Sequence, residues 1–282
     1  LLGDPSMRLA YATQQAMVTR INDRPFTGLN DTLRATGRVT VEGEIRNAAG
    51  VLGNFDGILQ ATVLDKPVKI STVGTESARM EFVQADAVLF RGSASVRSGR
   101  FRFSFVVPKD INYTPGEGRI LLYAKPTRGT ADAAGVAVVT VGGTATNNAD
   151  HTPPQIKLFL NDSTFAPGST VGTEALLLAH LSDENGINVS RAGIGHELAA
   201  VLDDTLSIPL NDYFAAENDT YQRGKISFLL QNLTPGEHRI TLQAWDTYNN
   251  PATATLPFAV VANAFSIRNL RIWPNPVTES TQ

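Results

Sequence analysis

Short segments along most of the chain alternate apolar and polar residues with a period of two, the pattern of strands that bury one face. "RVTVEGEIR" (38–46) sets Val39, Val41 and Ile45 to one side. "DGILQATVLD" (56–65), "MEFVQ" (80–84) and "AVLFRG" (87–92) follow. "ASVRSGRFRFSFVVP" (94–108) predicts two strands joined by a tight turn at Ser98 and Gly99, with Phe101, Phe103 and Phe105 on one face. Three aromatics at period two read as core. "GRILLYAKP" (118–126) and "GVAVVTVGG" (135–143) complete a set of about eight strands. Short strands at this spacing predict a β-sandwich.

"GGTATNNADHTPPQI" (142–156) interrupts the alternation with small polar residues that end in Pro153 and Pro154. A proline pair forbids helix and stiffens the junction, so it reads as a linker. Seven further candidate strands lie beyond it: "IKLFLN", "ALLLAHLSD", "HELAAVLDD", "DTLSIPL", "GKISFLLQ", "GEHRITLQAWD" and "ATATLPFAVV". Seven strands over roughly 110 residues predict an immunoglobulin-like sandwich. The chain is therefore read as all-β, with two consecutive β-sandwich domains, the second immunoglobulin-like. The first spans 13–148, the linker 149–154 and the second 155–262.

Composition narrows the chemistry. Val, Thr, Ile and Phe recur in short runs while helix-forming blocks are scarce, in keeping with strands. The net charge of -3 and pI near 5.8 supply no field for nucleic acid, and the basic residues form no stripe. There is no cysteine, which excludes disulfides, zinc–thiolate sites and a thiol nucleophile. No apolar run approaches the roughly 20 residues that cross a bilayer. The start at Leu1, with neither an initiator Met nor a basic leader, reads as the interior of a longer protein.

Four histidines and scattered carboxylates are left as candidate chemistry. In "RAGIGHELAAVLDD" (191–204) two glycines frame His196, and Glu197 follows. A zinc peptidase helix needs a second His four residues on, where Ala200 stands. A hydroxyl triad with Ser190 and Asp183 is possible only on paper, because closeness in sequence is not triad geometry. His196 is read as structural, its imidazole donating to a neighbouring loop carbonyl. "DENG" and "DTYNN" supply Asp183, Glu184, Asn185, Asp246, Asn249 and Asn250, at the ends of two strands whose loops meet at one pole of an immunoglobulin-like sandwich. Oxygen ligands alone suit Ca²⁺, and Asp183, Asn185 and Asp246 are the candidate ligands; the bland reading is Asx-rich turns. Asp203, Asp204 and Asp212 read as solvated turns, since no aromatic platform for sugar accompanies them. "GEGR" (116–119) lacks the dinucleotide fingerprint and a following helix. No catalytic or cofactor-binding residue is assigned.

Several longer stretches resemble a known family. "LLGDPSMRLAY" (1–11) resembles the closing segment of the gingipain-type cysteine peptidase domain. "FVVPKDINYTPGEGRILLYA" (105–124), "LSDENGINVSRAGIGHEL" (181–198), "PLNDYF" (209–214) and "LQAWDTYNNPA" (242–252) resemble the region after that domain in the type IX secretion system sortase of Bacteroidetes-type bacteria. "WPNPVTEST" (273–281) resembles the start of a following immunoglobulin-like domain. The resemblance implies that residues 1–12 close an absent peptidase domain and that 263–282 open a truncated further domain. It also implies a parent cysteine peptidase and transpeptidase, exported to the cell surface and associated with the outer membrane. Such an enzyme removes the C-terminal sorting domain of secreted cargo and attaches the cargo to the surface. Its partners are an outer-membrane shuttle protein and that cargo. Its Cys and His precede this region, so no catalytic residue carries over. The expected role is non-catalytic positioning of the peptidase. The alternative is a carbohydrate- or protein-binding sandwich module of a secreted hydrolase.

Overall fold

The computed structural model describes residues 11–262, apart from 75–77, 86, 147–148 and 194. The expected peptidase-like opening, except Tyr11 and Ala12, and the expected further domain at 263–282 lie outside the described residues. Among the described residues regular structure is almost entirely strand, with two single 3-10 turns at Gly28–Asn30 and Asn211–Tyr213. Among the described residues no helix is long and apolar enough to cross a membrane.

The first twelve strands are β1 (Gln14–Ile21), β2 (Arg24–Pro25), β3 (Thr32–Ala35), β4 (Arg38–Asn47), β5 (Gly50–Val51), β6 (Gly57–Leu64), β7 (Val68–Ser71), β8 (Glu81–Gln84), β9 (Val88–Arg97), β10 (Arg100–Val106), β11 (Gly116–Pro126) and β12 (Ala133–Thr144). Seven of them close into a ring in the order β1, β12, β11, β6, β9, β10, β4 and back to β1. The first unit is thus a closed barrel, which corrects the expected sandwich. Strand directions cannot alternate all the way around an odd-numbered ring, so one seam must be parallel. That seam joins β1 to β12, where Gln14 and Gln15 meet Ala133 and Ala134.

Closure rests on β1, a strand the alternation does not announce. Ala16 and Val18 point inward, but a register shift between Val18 and Arg20 makes Ile21 the next buried residue. The bulge breaks the period of two. Glycine lets the seam close, because a Cβ on Gly135 would stand 1.8 Å from the Ala16 carbonyl oxygen. A Cβ on Gly43 would stand 2.2 Å from the Phe101 ring and 2.3 Å from the Met17 carbonyl oxygen. Inside the barrel Phe101, Phe103 and Phe105 form the expected ladder, and Phe90 stacks on Phe105 at 4.9 Å. Burying each such ring stabilises the fold by roughly 1.5–3 kcal/mol.

Two strands differ from expectation. "AVLFRG" and "ASVR" are halves of the single strand β9, paired to β6 along its length. "MEFVQ" contributes β8, which pairs only with β7 in a hairpin outside the barrel, with Phe82 and Val83 exposed.

The remaining strands are β13 (Gln155–Leu160), β14 (Thr170–Val171), β15 (Ala175–Ser182), β16 (Ala199–Leu202), β17 (Leu206–Pro209), β18 (Phe214–Ala216), β19 (Arg223–Leu230), β20 (Gly236–Trp245) and β21 (Pro251–Val260). One sheet runs β13, β15, β19, β18 and the other β14, β21, β20, β16, β17. They share a second core. Leu177, Ala179, Leu181 and Ile226 from one sheet meet Ile240, Leu242, Leu256 and Phe258 from the other. This is a two-layer sandwich, and all seven strands expected from the alternation are in it.

Candidate functional site at the junction of the two units

The loops that end β15 and β20 are built by their own carboxylates. Asp183 Oδ1 accepts from the backbone nitrogens of Asn185 and Gly186 at 2.7 and 3.1 Å. Asp246 Oδ1 accepts from those of Tyr248 and Asn250 at 2.9 and 2.7 Å. Both are Asx turns, the local chemistry expected of Asp followed by Asn or Gly. A bridge between Ile187 and Asp246 and a bond from Thr247 N to Gly186 O fasten the two loops together. The "DENG" and "DTYNN" loops therefore meet at one pole.

There Asp183 and Asp246 are joined by Asp150 of the linker, and one carboxylate oxygen from each lies within 4.8 Å of the others. Asn185 takes part through its amide nitrogen, which donates to Asp150 Oδ2 at 2.8 Å. Asn250 donates to Asp246 Oδ2 and to the Asp150 carbonyl. No Lys or Arg forms an ion pair with the three carboxylates among the described residues. Burial, reinforced by Asp246 and Asp150, pushes the Asp183 pKa up to about 6. Burial also raises Asp246. Burial opposes ionisation of Asp150, but bonds from Thr152 and Asn185 hold it below its ordinary value. The cluster can share a proton below neutral pH, or hold a hard cation with oxygen ligands above it.

His196 lies in the same junction. Its Nδ1 is 2.8 Å from Oδ2 of Asp110, in the barrel loop between β10 and β11. Its ring packs against Trp245 at a tilt of 44°, with centroids 4.3 Å apart. Asp110 also accepts from Asn188 Nδ2 at 3.1 Å and from Asn249 Nδ2 at 2.7 Å. Gly193, three residues before His196, has a purpose, because a Cβ there would come 2.2 Å from Asp110 Oδ2. The partner of His196 is thus a carboxylate of the other unit and not a nearby loop carbonyl. Ser190 and Asp183 are committed to their own turns and supply no triad with it.

More contacts fasten the junction. Tyr248 donates to the Thr36 carbonyl at 3.1 Å, and Lys109 N bonds to Thr247 O. Tyr221 packs on the barrel core, with the Arg38 guanidinium 5.7 Å over its ring. Elsewhere the carboxylates are structural. Asp203 and Asp204 have positive φ in the β16–β17 turn, where Asp203 holds His238 and Asp204 pairs with Arg239. Asp212 pairs with Arg191 and Arg91. "GEGR" begins β11. Sequence reasoning missed Asp110 and Asp150, both in Asp-containing loops with no period or motif to mark them.

No family model matches the chain, and no curated protein does. A solved structure does: dimeric latent PorU from Porphyromonas gingivalis, 33% identical over 94% of this chain, with a TM-score of 0.55. The chain is similar to a region of PorU. It spans 25% of that PorU chain's length. The endo-beta-1,4-mannanase of Thermotoga petrophila is 15% identical, with a TM-score of 0.28 over 40% of this chain and 21% of its own. The fibronectin(III)-like modules of Clostridium thermocellum CbhA are 12% identical, with a TM-score of 0.25 over 92% of this chain and 100% of theirs. At those values the last two bear on neither fold nor function.

Proposed function

We propose that this chain is the non-catalytic β-region of a type IX secretion system sortase. It would hold the cysteine peptidase and transpeptidase of the parent in place at the cell surface, against the outer-membrane shuttle protein and cargo with C-terminal sorting domains. The observation that carries this reading is the likeness to PorU over 94% of the chain. The lack of cysteine supports a supporting rather than a chemical role, because the thiolate is the nucleophile in such peptidases. In this reading the barrel and an immunoglobulin-like sandwich act as one spacer, joined through Asp110 and Tyr248.

A spacer acts through effective concentration, and holding reactants in place supplies up to roughly 7–11 kcal/mol in the best-oriented cases. The test is deletion of residues 154–262 from the intact sortase, with surface level checked. The thiol should still react with a small activated probe, while cargo maturation fails. Normal cargo processing makes the sandwich dispensable and sinks the proposal. Loss of probe labelling as well reports a folding defect and counts against a docking role.

The alternative, a carbohydrate-binding module, needs exposed coplanar aromatics. Trp245 instead packs on His196, and Trp273 lies outside the described residues. A subsidiary part of the proposal is that Asp150, Asp183 and Asp246 hold Ca²⁺, with Asn185 orienting Asp150. The convergence of three carboxylates, with no Lys or Arg paired to them among the described residues, supports it.

A further inference from the structure

Four arginines converge on the outer wall of the barrel, in a chain whose net charge is -3. Strand register puts them there. Arg100 stands opposite Glu44 and Arg102 opposite Glu42 across β10 and β4. Arg20 of β1 stands opposite Glu42 from the other side. Arg97 stands directly opposite Arg100 across the β9–β10 turn. Together they line an open groove of about 650 Å³, walled on one side by Ser95 and Asp219.

The carboxylates present do not saturate these guanidinium groups. Glu42 is shared, 3.6 Å from Arg20 and 3.6 Å from Arg102, and Glu44 lies 3.5 Å from Arg100. Each is a single contact and not a two-pronged pair, and the side chains of Arg20, Arg102 and Arg100 are 49–72% exposed. Among the described residues Arg97 has no carboxylate partner. Asp219 is already engaged, one oxygen on Ser95 N and the other on Ser95 Oγ, both at 2.6 Å. Arg97 facing Arg100 is a like-charge cross-strand pair, which is unfavourable unless an anion lies between.

We propose that this groove is an anion site that takes a phosphate-bearing ligand. The four strands of its floor are each paired on both sides, so no free edge invites an added peptide strand. Recognition must come from side-chain donors. Each ladder row already holds a carboxylate, and guanidinium donors remain in excess. A phosphate, with its several oxygens and near-double charge, matches a pair of arginine forks better than one more carboxylate does. This inference rests on the barrel wall alone and is independent of the sortase reading.

The test uses the whole chain and two probes: sodium tripolyphosphate by calorimetry, and phosphatidylcholine vesicles containing phosphatidylglycerol by co-sedimentation. The variants are the pair Arg97→Gln with Arg100→Gln, the pair Arg97→Lys with Arg100→Lys, and Arg119→Gln, which lies outside the groove. Binding of at least one probe should weaken with salt and fall about tenfold or more in the Gln pair, the scale of one lost charge-assisted bond. The Lys pair should fall between, because it keeps charge but not the fork, and Arg119→Gln should match the parent chain. Binding in the soluble arm assigns a free or chain-borne phosphate, and binding only to vesicles assigns a lipid headgroup. No binding of either probe overturns the proposal, as does an equal loss in Arg119→Gln. Thermal melts verify that the variants fold; should the Gln pair not fold, Arg102→Gln replaces it with the same expectation.

Discussion

Asp183 is buried beside two other carboxylates, and its pKa of about 6 in the fold compares with an ordinary value of 3.8. Between those pH values the folded protein keeps a proton that the unfolded chain releases. The stability linked to that proton is complete below pH 3.8 and is lost as pH rises through 6. In chelator, the parent chain should therefore lose roughly 1–3 kcal/mol between pH 4 and pH 7 relative to Asp183→Asn. Denaturant titrations at both pH values measure this, and an equal change in stability with pH for the two proteins would show that the carboxylate is not strained. A cation would relieve the same repulsion, so Ca²⁺ should raise the parent's Tm at neutral pH and leave Asp183→Asn nearly unmoved. Identical melts in Ca²⁺ and chelator remove the cation from the site. His196→Ala should cost about 1–2 kcal/mol, the scale of one buried hydrogen bond. Since His196 lies on Trp245, the change should also appear in tryptophan fluorescence; an unchanged melt with lost binding would make His196 functional instead of structural.

Among the elements, β1 decides the architecture of the first unit. It pairs with β12 and with β4, and without it the remaining six barrel strands would leave two open edges. Open edges invite pairing with other chains. The seam depends on Gly135, where a side chain would meet the Ala16 carbonyl. Gly135→Ala should cost about 3 kcal/mol through backbone displacement. Gly53→Ala, in open space, is the control and should be close to neutral. Similar denaturation midpoints for the two variants would mean that the seam is loose enough to absorb a methyl group.

Across the whole molecule, Asp110 gathers the largest set of side-chain bonds described at the junction of the two units. It accepts from His196, Asn188 and Asn249, so its loss strands three donors at once. Asp110→Ala should leave both cores folded but loosen their relation, lengthening the particle in small-angle scattering and separating two steps in thermal unfolding. A scattering profile identical to the parent's would show that the other contacts suffice. The proposed spacer role requires this rigidity, because a freely hinged tether dilutes what it holds.

What could be read along the chain was what neighbouring residues settle among themselves. The strands 38–47, 100–106 and 236–245 follow from the period of two, and the Phe ladder from three rings at alternate positions. The Asx turns at Asp183 and Asp246 follow from the residues just after them. All of these are contacts over a few residues, which local composition and spacing encode. Tertiary structure alone decided the rest. Barrel closure depends on β1 finding β12 across the length of the unit, and a bulge hides its alternation. Asp110 meets His196 across 86 residues and Asn249 across 139, and Asp150 meets Asn185 across 35. No pattern marks such partners in advance, because what brings them together is the docking of two separately built cores, and the chain between them carries no trace of the geometry in which they meet.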